Sequence, residues 1–269
     1  MAKDLGLANI RDIEDHFMAK IAEYLEAKGM KMQGWQEISI ASDGKPNPNL
    51  QKYGLINHCW HSDSGRALNI ASELVAAGFP VILSNVEYFY VDMSYNAHQS
   101  EPGLYWGGFV DEFQSFSMDP SEFVPLNSPL VLGLQAQLWR ESIQGFDKIQ
   151  RSIFPKIFGL VERAWNSDPR SLSVQTYNNT VNARLNALEE EGLNYRIAQP
   201  GIKFIDGKLH INCPIKAAEV YYTTDGSEPT KNSTQWTAPI DCGAAAAIKA
   251  KAFYEDKESV TTLLCGEIP

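Results

Sequence analysis

The feature that most constrains the fold of this chain is a regular alternation of amphipathic and continuously apolar segments between about residues 9 and 195. The amphipathic segments repeat apolar residues every three or four positions, which predicts helices, and residues 9–29 end in Gly29 as a helix should. Short apolar segments that alternate with helices are typical of parallel strands covered on both faces. This part of the chain is therefore predicted to be an α/β domain.

Four strands can be placed in this region, and helices separate or follow them. The strand candidates are residues 31–38, 54–61, part of 79–93, and 129–141. The further helix candidates are residues 64–78, 146–166 with a bend or restart at Pro155, and 174–192. A complete (β/α)₈ barrel takes about 250 residues. The region is thus predicted to be either a small open sheet or half of a barrel.

From about residue 200 the pattern changes to alternating, β-branched segments without a helical period. DG, GSEP and EDKE turns separate these segments. This indicates a small all-β sandwich of about 70 residues. The predicted domains are residues 1–198 and residues 199–269.

Charge and hydropathy restrict the class of partner. A net charge of −10 disfavours nucleic acid and anionic membrane surfaces as partners. No segment approaches the roughly 20 apolar residues of a membrane span, and the first residues lack the pattern of a signal peptide. A neutral ligand is favoured, and the protein is expected to be cytoplasmic unless its true beginning is missing.

The four cysteines give no indication of a metal or redox site. Cys59 lies in an apolar segment beside Trp60, which predicts a buried thiol. Cys213, Cys242 and Cys265 all fall in the last quarter of the chain and allow one disulfide among them. No pair has CxxC spacing, so no metal and no cofactor are predicted.

Each of the four strand candidates carries an aromatic residue at its carboxyl end, where parallel βα units bind their ligands. These residues are Trp35, Trp60, Tyr90 with Asp92, and Trp139 with Glu141. A single tryptophan in a strand is more often a core residue, but four strands out of four favour a site. Indole faces match the C–H faces of sugar rings, and carboxylates or phenols bind hydroxyl and amide groups. The pattern predicts a carbohydrate pocket, and no phosphate-binding loop, nucleophile elbow or metal-spaced histidine cluster competes with it.

Several segments together resemble the second half of the catalytic barrel of glycoside hydrolase family 20, the β-N-acetylhexosaminidases that include bacterial chitobiases. They are GWQE (34–37), CW (59–60), YFYVDM (88–93), EPGLYW (101–106), LGLQAQLWRE (132–141) and FPKIFGLVERAW (154–165). EVYYTTDGSEPT resembles the small C-terminal domain of chitobiases. The resemblance implies a partial (β/α)₈ TIM barrel, about strands 5 to 8, followed by an immunoglobulin-like sandwich. It also implies export in a bacterium, to the periplasm or the medium.

The resemblance further implies binding of a terminal N-acetylglucosamine or N-acetylgalactosamine unit in a β-linked glycan such as chitobiose. The family hydrolyses the glycosidic bond with retention, and the acetamido oxygen of the substrate is the nucleophile. Trp35, Trp60 and Trp139 would form the walls of the pocket, and Trp106 would stack on the next sugar. Tyr90 would be a catalytic residue that donates a hydrogen bond to the acetamido group. Asp92 and Glu141 would bind hydroxyl groups of the sugar.

The general acid of the family is not found in this sequence. An Asp-Glu pair at the end of the fourth barrel strand supplies it, and the strand register implied by the resemblance puts that pair upstream of Met1. Asp111-Glu112 falls between the seventh and eighth strands of that register and is interpreted as a loop or helix-start pair. Glu37 corresponds to a supporting carboxylate, and His58, His61 and His98 are interpreted as polar loop or strand-end residues.

Three functions follow from these observations. In the first, the chain is part of a β-N-acetylhexosaminidase. It would be inactive alone because the general acid is not in this sequence, and general-acid catalysis contributes a factor of about 10² to 10⁴ in rate. The alternatives are a non-catalytic carbohydrate-binding protein and a structural module whose strand-end aromatics are packing residues. Half a barrel leaves sheet edges open, so we expect that the chain self-associates, pairs with a separate N-terminal half, or is a fragment or a truncated reading frame.

Overall fold

The computed structural model describes residues 5–7, 10–61, 67–166, 168, 171–241 and 247–265. The chain folds into two units. The first is made of Met1–Tyr95, Gly103–Ser142 and Lys156–Ser171, and the second of Asn96–Pro102, Ile143–Pro155 and Leu172–Pro269.

The first unit is a mixed α/β structure in which short strands alternate with helices. Its strands are β1 (Gln33–Trp35), β2 (Ile56–Cys59), β3 (Val81–Leu83) and β4 (Val131–Leu134). Its helices are α1 (Arg11–Glu26), α2 (Pro48–Gln51), α3 (Ala67–Ala76), α4 (Val86–Phe89), α5 (Glu112–Ser117) and α7 (Lys156–Trp165), with 3₁₀ turns at Gln36–Ser39 and Pro120–Glu122.

The four strands form one parallel sheet in the order β1-β2-β3-β4. The predicted α/β class and the four predicted strands are confirmed. Leu50, Leu55 and Phe79 are buried in a common core with side chains of β2, β3 and α3. Those side chains are Cys59, Val81, Leu83, Ile70, Ala71, Leu74 and Val75. Burial of this core is the main stabilising contribution expected for the sheet and its covering helices.

The strands are shorter than the apolar segments that predicted them, and Tyr90 and Trp139 lie beyond the strand ends. β3 ends at Leu83, and α4 then occupies Val86–Phe89 before parallel pairing resumes at the bridge between Tyr90 and Gln137. The Val91 N–H donates to Gln137 O at 2.9 Å, and the Gln137 N–H donates to Phe89 O at 3.0 Å. The same edge of the sheet therefore presents both residues, although neither belongs to a continuous strand.

The predicted helix over residues 146–166 consists of two helices separated at Pro155. α6 (Phe146–Ile153) ends before the proline and α7 begins after it, with a cis peptide bond between Phe154 and Pro155. Proline cannot donate a backbone hydrogen bond, so the interruption occurs where the sequence predicts it.

The second unit contains two antiparallel sheets together with α6 and α8 (Val174–Glu190). One sheet pairs β5 (Gly201–Ile205) with β6 (Lys208–Asn212). The other contains β7 (Glu219–Thr223), β8 (Thr234–Gln235), β9 (Ala247–Tyr254), β10 (Lys257–Glu258) and β11 (Thr262–Cys265). The predicted C-terminal β domain is confirmed at this level, and its immunoglobulin-like topology stays a prediction.

The second unit extends upstream of residue 199. Ser173 begins α8, accepting a hydrogen bond from the Thr176 N–H at 3.1 Å, and Lys257 joins this helix to β10 by an ion pair with Glu189 at 2.7 Å. α8 therefore packs with the β domain, and the domain boundary at 198/199 stays a prediction.

One of the predictions on cysteines can be compared with the structure. Cys59 is a buried free thiol, as predicted, and burial raises its pKa to about 12. The disulfide prediction lies outside the described residues, which include neither Cys242 nor the side chain of Cys265. Within the described part of the chain, no helix is long and apolar enough to cross a membrane.

Candidate functional site

A cavity of about 440 Å³ opens at the carboxyl ends of the parallel strands in the first unit. Trp35 is the last residue of β1, and Trp60 directly follows β2. The structure brings all seven predicted site residues together around this cavity with one addition, Glu37. The described residues that line it are Trp35, Glu37, Trp60, Tyr90, Asp92, Trp106, Trp139 and Glu141.

Five aromatic rings form a continuous wall. The ring centroids of Trp35 and Trp139 are 5.9 Å apart, and Trp139 lies 6.3 Å from Tyr90. Tyr90 contacts Trp106 edge to face at 6.1 Å, and Trp106 contacts Trp60 in the same way at 6.2 Å. Such tilted and edge-to-face arrangements are favourable between aromatic rings. The wall therefore combines apolar faces with several ring N–H and O–H donors.

Two adjacent residues of the 3₁₀ turn after β1 hold Trp60 in place. The Trp60 indole Nε1–H donates to Glu37 Oε1 at 2.9 Å, and the Trp60 backbone N–H donates to Gln36 Oε1 at 3.1 Å. Gln36 is buried. The position and the ring orientation of Trp60 are thus both specified from β1.

Tyr90 presents a phenol that remains protonated across the physiological range. Only 4% of its surface is exposed. Burial raises the pKa of the Tyr90 hydroxyl to about 12, whereas a hydrogen bond that its oxygen accepts from the Trp139 side chain lowers the pKa. The hydroxyl can therefore donate a hydrogen bond to a ligand at neutral pH.

Asp92 is a buried carboxylate with an unsatisfied acceptor. It is 3% exposed, and its Oδ1 atom has no hydrogen-bond partner among the described residues. The pKa of Asp92 is raised to about 6, mainly by burial and also by the nearby Glu141, although backbone hydrogen bonds from Trp139 and Asp92 and the charge of Lys156 act to lower it. Asp92 is mostly ionised at pH 7, which makes it an acceptor for a ligand hydroxyl.

Trp106 is carried by a loop that runs alongside the Asp92 segment. The Ser94 N–H donates to Leu104 O at 2.7 Å, and the Leu104 N–H donates to Asp92 O at 3.3 Å. Gly103 makes this approach possible: its φ is +109°, and a Cβ atom there would lie 2.3 Å from Asp92 O. Trp106 lines the cavity and is 58% exposed, so much of its surface is available for a ligand.

Asp111 and Glu112 do not line the cavity. Asp111 is the N-cap of α5, and its side chain accepts from the Gln114 N–H at 2.7 Å. Glu112 is buried in the first turn of the same helix. Their interpretation as a helix-start pair agrees with this geometry.

The histidines considered from the sequence, which are His58, His61 and His98, also lie outside the cavity lining. His58 Nε2 is 3.1 Å from Gln33 Oε1, and the His61 ring lies 4.8 Å from the Trp60 ring. His98 Nδ1 is 2.8 Å from Ser100 Oγ. Among the described residues, no group of three or more histidines, cysteines and carboxylates could hold a metal ion.

Glu37 is the lining residue that the predicted site omitted. The signal that could have found it is its position, because it follows Trp35 by two residues at the carboxyl end of β1. The family resemblance implied that Glu37 is a carboxylate supporting the pocket and not the general acid, but Glu37 was not among the predicted site residues.

Two parts of the chain match descriptions of known protein families. The description "Glycosyl hydrolase family 20, catalytic domain" matches residues 1–168, which is more than half of the chain. The chain belongs to glycoside hydrolase family 20. Residues 199–262 match a second description, "Chitobiase/beta-hexosaminidase C-terminal domain". The family predicted from the motifs is confirmed for both parts of the chain.

Individual family 20 proteins are similar over part of their length. N,N'-diacetylchitobiase of Vibrio harveyi is 26% identical over 272 aligned residues, which cover 83% of this chain and 30% of that protein. A β-hexosaminidase of Porphyromonas gingivalis is 22% identical over 93% of this chain and 32% of its own length. The chain thus spans about a third of the length of these relatives.

The fold is also similar to that of a solved family 20 structure. An exo-β-N-acetylglucosaminidase of Vibrio harveyi, determined in complex with N-acetylglucosamine, superposes with a TM-score of 0.62 at 25% identity. The match covers 72% of this chain and 29% of that chain. It supports the mixed α/β architecture, whereas the correspondence to barrel strands 5 to 8 stays a prediction.

Proposed function

We propose that the cavity binds the terminal non-reducing N-acetylhexosamine of β-linked glycans such as chitobiose, and that the chain supplies this part of a β-N-acetylhexosaminidase. The observation that carries the proposal is that all seven residues predicted as a sugar site line one cavity. They come from sequence positions between 35 and 141. The four parallel strands would correspond to about strands 5 to 8 of the family barrel.

The side chains of the cavity match the chemistry of this ligand. Trp35, Trp60 and Trp139 would enclose the acetamido methyl group and one face of the sugar ring. Trp106, with its exposed face, would stack on the next sugar. Burial of these apolar faces would provide most of the binding free energy.

The polar groups would orient the sugar. Asp92 and Glu141 would accept hydrogen bonds from ring hydroxyls, and the unpartnered Oδ1 atom of Asp92 is suited to this. Tyr90 would donate its hydroxyl to the acetamido oxygen. A ligand without these groups would leave buried polar atoms unpaired, which is the basis of discrimination.

In the proposed reaction the acetamido oxygen attacks the anomeric carbon while the glycosidic bond breaks and a general acid protonates the departing oxygen. Water then opens the cyclic intermediate with retention. The hydrogen bond from Tyr90 would gain strength as charge develops on the acetamido group. Tyr90 is thus the proposed catalytic residue within this chain.

We further propose that the chain alone does not hydrolyse its ligand. Of the three carboxylates lining the cavity, Glu37 accepts from the Trp60 indole and Asp92 from backbone N–H groups. Glu141 would bind a hydroxyl group of the sugar. None of these three carboxylates therefore belongs to an adjacent Asp-Glu pair that could supply the general acid. The alternative function is a non-catalytic carbohydrate-binding protein. It is supported by the observation that this one chain supplies the aromatic wall of five rings.

Calorimetric titration with N-acetylglucosamine tests the binding proposal. We expect saturable binding that is lost when glucosamine, which lacks the acetyl group, replaces the ligand. Trp139→Ala should weaken binding more than tenfold, whereas Trp236→Ala, in the β domain, should not. Equal responses to both sugars, or to both variants, would contradict the proposal.

A further inference from the structure

Lys156 is a buried cation to which the proposed function assigns no role. It is the first residue of α7, and only 1% of its surface is exposed. A buried ammonium group is strongly destabilising unless its hydrogen bonds are satisfied. Its position therefore requires an explanation from its contacts.

The ammonium group of Lys156 binds the backbone on both sides of Asp92. Nζ donates to Val91 O at 2.9 Å and to Met93 O at 2.5 Å. These carbonyl groups belong to the residues that immediately precede and follow Asp92 in the chain. The ammonium group thus spans the segment that bears the carboxylate.

A third contact fixes the direction of the ammonium group. Nζ lies 3.8 Å from the centroid of the Tyr95 ring, a cation–π distance. Two carbonyl oxygens and one ring thus contact the ammonium group. These three partners lie within the five residues from Val91 to Tyr95.

The charge of Lys156 also reaches Asp92. Among the described residues, the charged and titratable groups that act on this carboxylate are Lys156 from α7, Glu141 from the segment after β4, and Tyr90 on its own segment. Lys156 favours the ionised form of Asp92, whereas burial and Glu141 oppose it. The hydrogen bonds of Lys156 and its positive charge thus both affect the Asp92 side chain.

We propose that Lys156 is a positioning residue for the candidate site: by holding the carbonyl groups on both sides of Asp92, it fixes the direction in which the Asp92 carboxylate faces the cavity. Lys156 does not line the cavity and acts through Asp92. The inference rests on the proposed function, because it takes the cavity as the ligand site.

Arg163 provides a matched control on the same helix. It is also buried, its Nε donates to Phe116 O at 2.5 Å, and its guanidinium group lies 4.0 Å from the Phe116 ring. Lys156→Met and Arg163→Met each remove a buried cation that binds a carbonyl group and an aromatic ring. Only the first of these cations adjoins Asp92.

The first measurement is an NMR titration of the Asp92 side-chain carboxyl carbon, assigned with Asp92→Asn. We expect the midpoint to rise by about one pH unit in Lys156→Met, a tenfold change in the ionisation constant, and to stay unchanged in Arg163→Met. Equal midpoints in the wild type and Lys156→Met would overturn the inference.

A second measurement needs no variant and can therefore test the inference even if Lys156→Met fails to fold. In the wild-type chain, the Lys156 ammonium protons should exchange slowly and show scalar coupling across hydrogen bonds to the carbonyl carbons of Val91 and Met93. Rapid exchange without such couplings would contradict the proposed contacts.

Ligand binding separates this inference from the function on which it rests. At pH 7, Lys156→Met should bind N-acetylglucosamine about tenfold more weakly, and Arg163→Met should bind it as the wild type does. A wild-type chain that does not bind the sugar overturns the proposed function, whereas the carboxyl titration still decides the role of Lys156.

Discussion

The indole N–H of Trp60 donates to Glu37 Oε1 at 2.9 Å, so a carboxylate that follows β1 orients an aromatic ring that follows β2. The adjacent Gln36 side chain binds the Trp60 backbone. Two neighbouring strands are thereby connected at the rim of the cavity. The aromatic wall depends on such contacts as well as on the strand ends themselves.

Replacement of Glu37 should disturb Trp60 without removing any aromatic surface. Glu37→Ala is expected to weaken N-acetylglucosamine binding several-fold, because the indole loses its partner and a net hydrogen bond contributes about 1 kcal/mol. Glu37→Gln should remain close to the wild type, since its amide oxygen still accepts. Calorimetry together with tryptophan fluorescence anisotropy distinguishes the two variants, and equal losses in both would show that the charge of Glu37 matters instead.

Tyr90→Phe should lower the affinity for N-acetylglucosamine about tenfold by removing one hydrogen-bond donor from an otherwise preserved ring. Tyr88→Phe is the matched control, because Tyr88 packs against the core and does not line the cavity. Because burial raises the pKa of Tyr90 to about 12, wild-type binding should not weaken through this hydroxyl between pH 7 and pH 10. A loss of affinity in Tyr88→Phe equal to that in Tyr90→Phe would exclude a specific role for the hydroxyl.

Asp92 should reduce the stability of the fold at neutral pH. Its pKa is raised from 3.8 to about 6 in the folded protein, so the folded state binds the proton more tightly than the unfolded state. Stability attributable to this group therefore falls as the pH rises from about 4 to above 6.

Asp92→Asn should remove this pH dependence. Relative to wild type, the variant should gain on the order of 2 to 3 kcal/mol in unfolding free energy between pH 4 and pH 7 while losing sugar affinity. Urea denaturation at several pH values measures the first effect. A difference between variant and wild type that stays constant with pH would refute the shifted pKa.

Gly103 and Gly108 allow a test of the loop that carries Trp106. Both have positive φ, but a Cβ atom at Gly103 would meet Asp92 O at 2.3 Å, whereas nothing lies within 4 Å of one at Gly108. Gly108→Ala should cost about 1 to 3 kcal/mol from backbone strain alone. Gly103→Ala should cost more and should also weaken sugar binding, since Trp106 is displaced. Equal costs in urea denaturation would contradict the close approach.

The sequence predicted the elements of the α/β unit well because helix and strand periodicity are local properties. Trp35 and Trp60 could be placed from the strands that they end or follow, and Pro155 from its effect on a helix. The family resemblance added Trp106, which lies on a loop without strand signal.

Contacts between distant residues could not be predicted in this way. Lys156 reaches carbonyl groups 63 and 65 residues earlier in the chain, and no periodicity reports such a contact. The approach of Gly103 to Asp92 and the packing of α8 with the β domain likewise depend on tertiary structure. These were the features that local patterns left open.

The most direct test of the account is hydrolysis of a chromogenic β-N-acetylglucosaminide by the chain alone and by the chain mixed with a separately produced segment carrying the Asp-Glu pair of the family. The account predicts no turnover by the chain alone and turnover in the mixture that is abolished by Tyr90→Phe. Robust turnover by the purified chain alone would contradict it, and Glu37 and Asp111-Glu112 would then be tested as the acid.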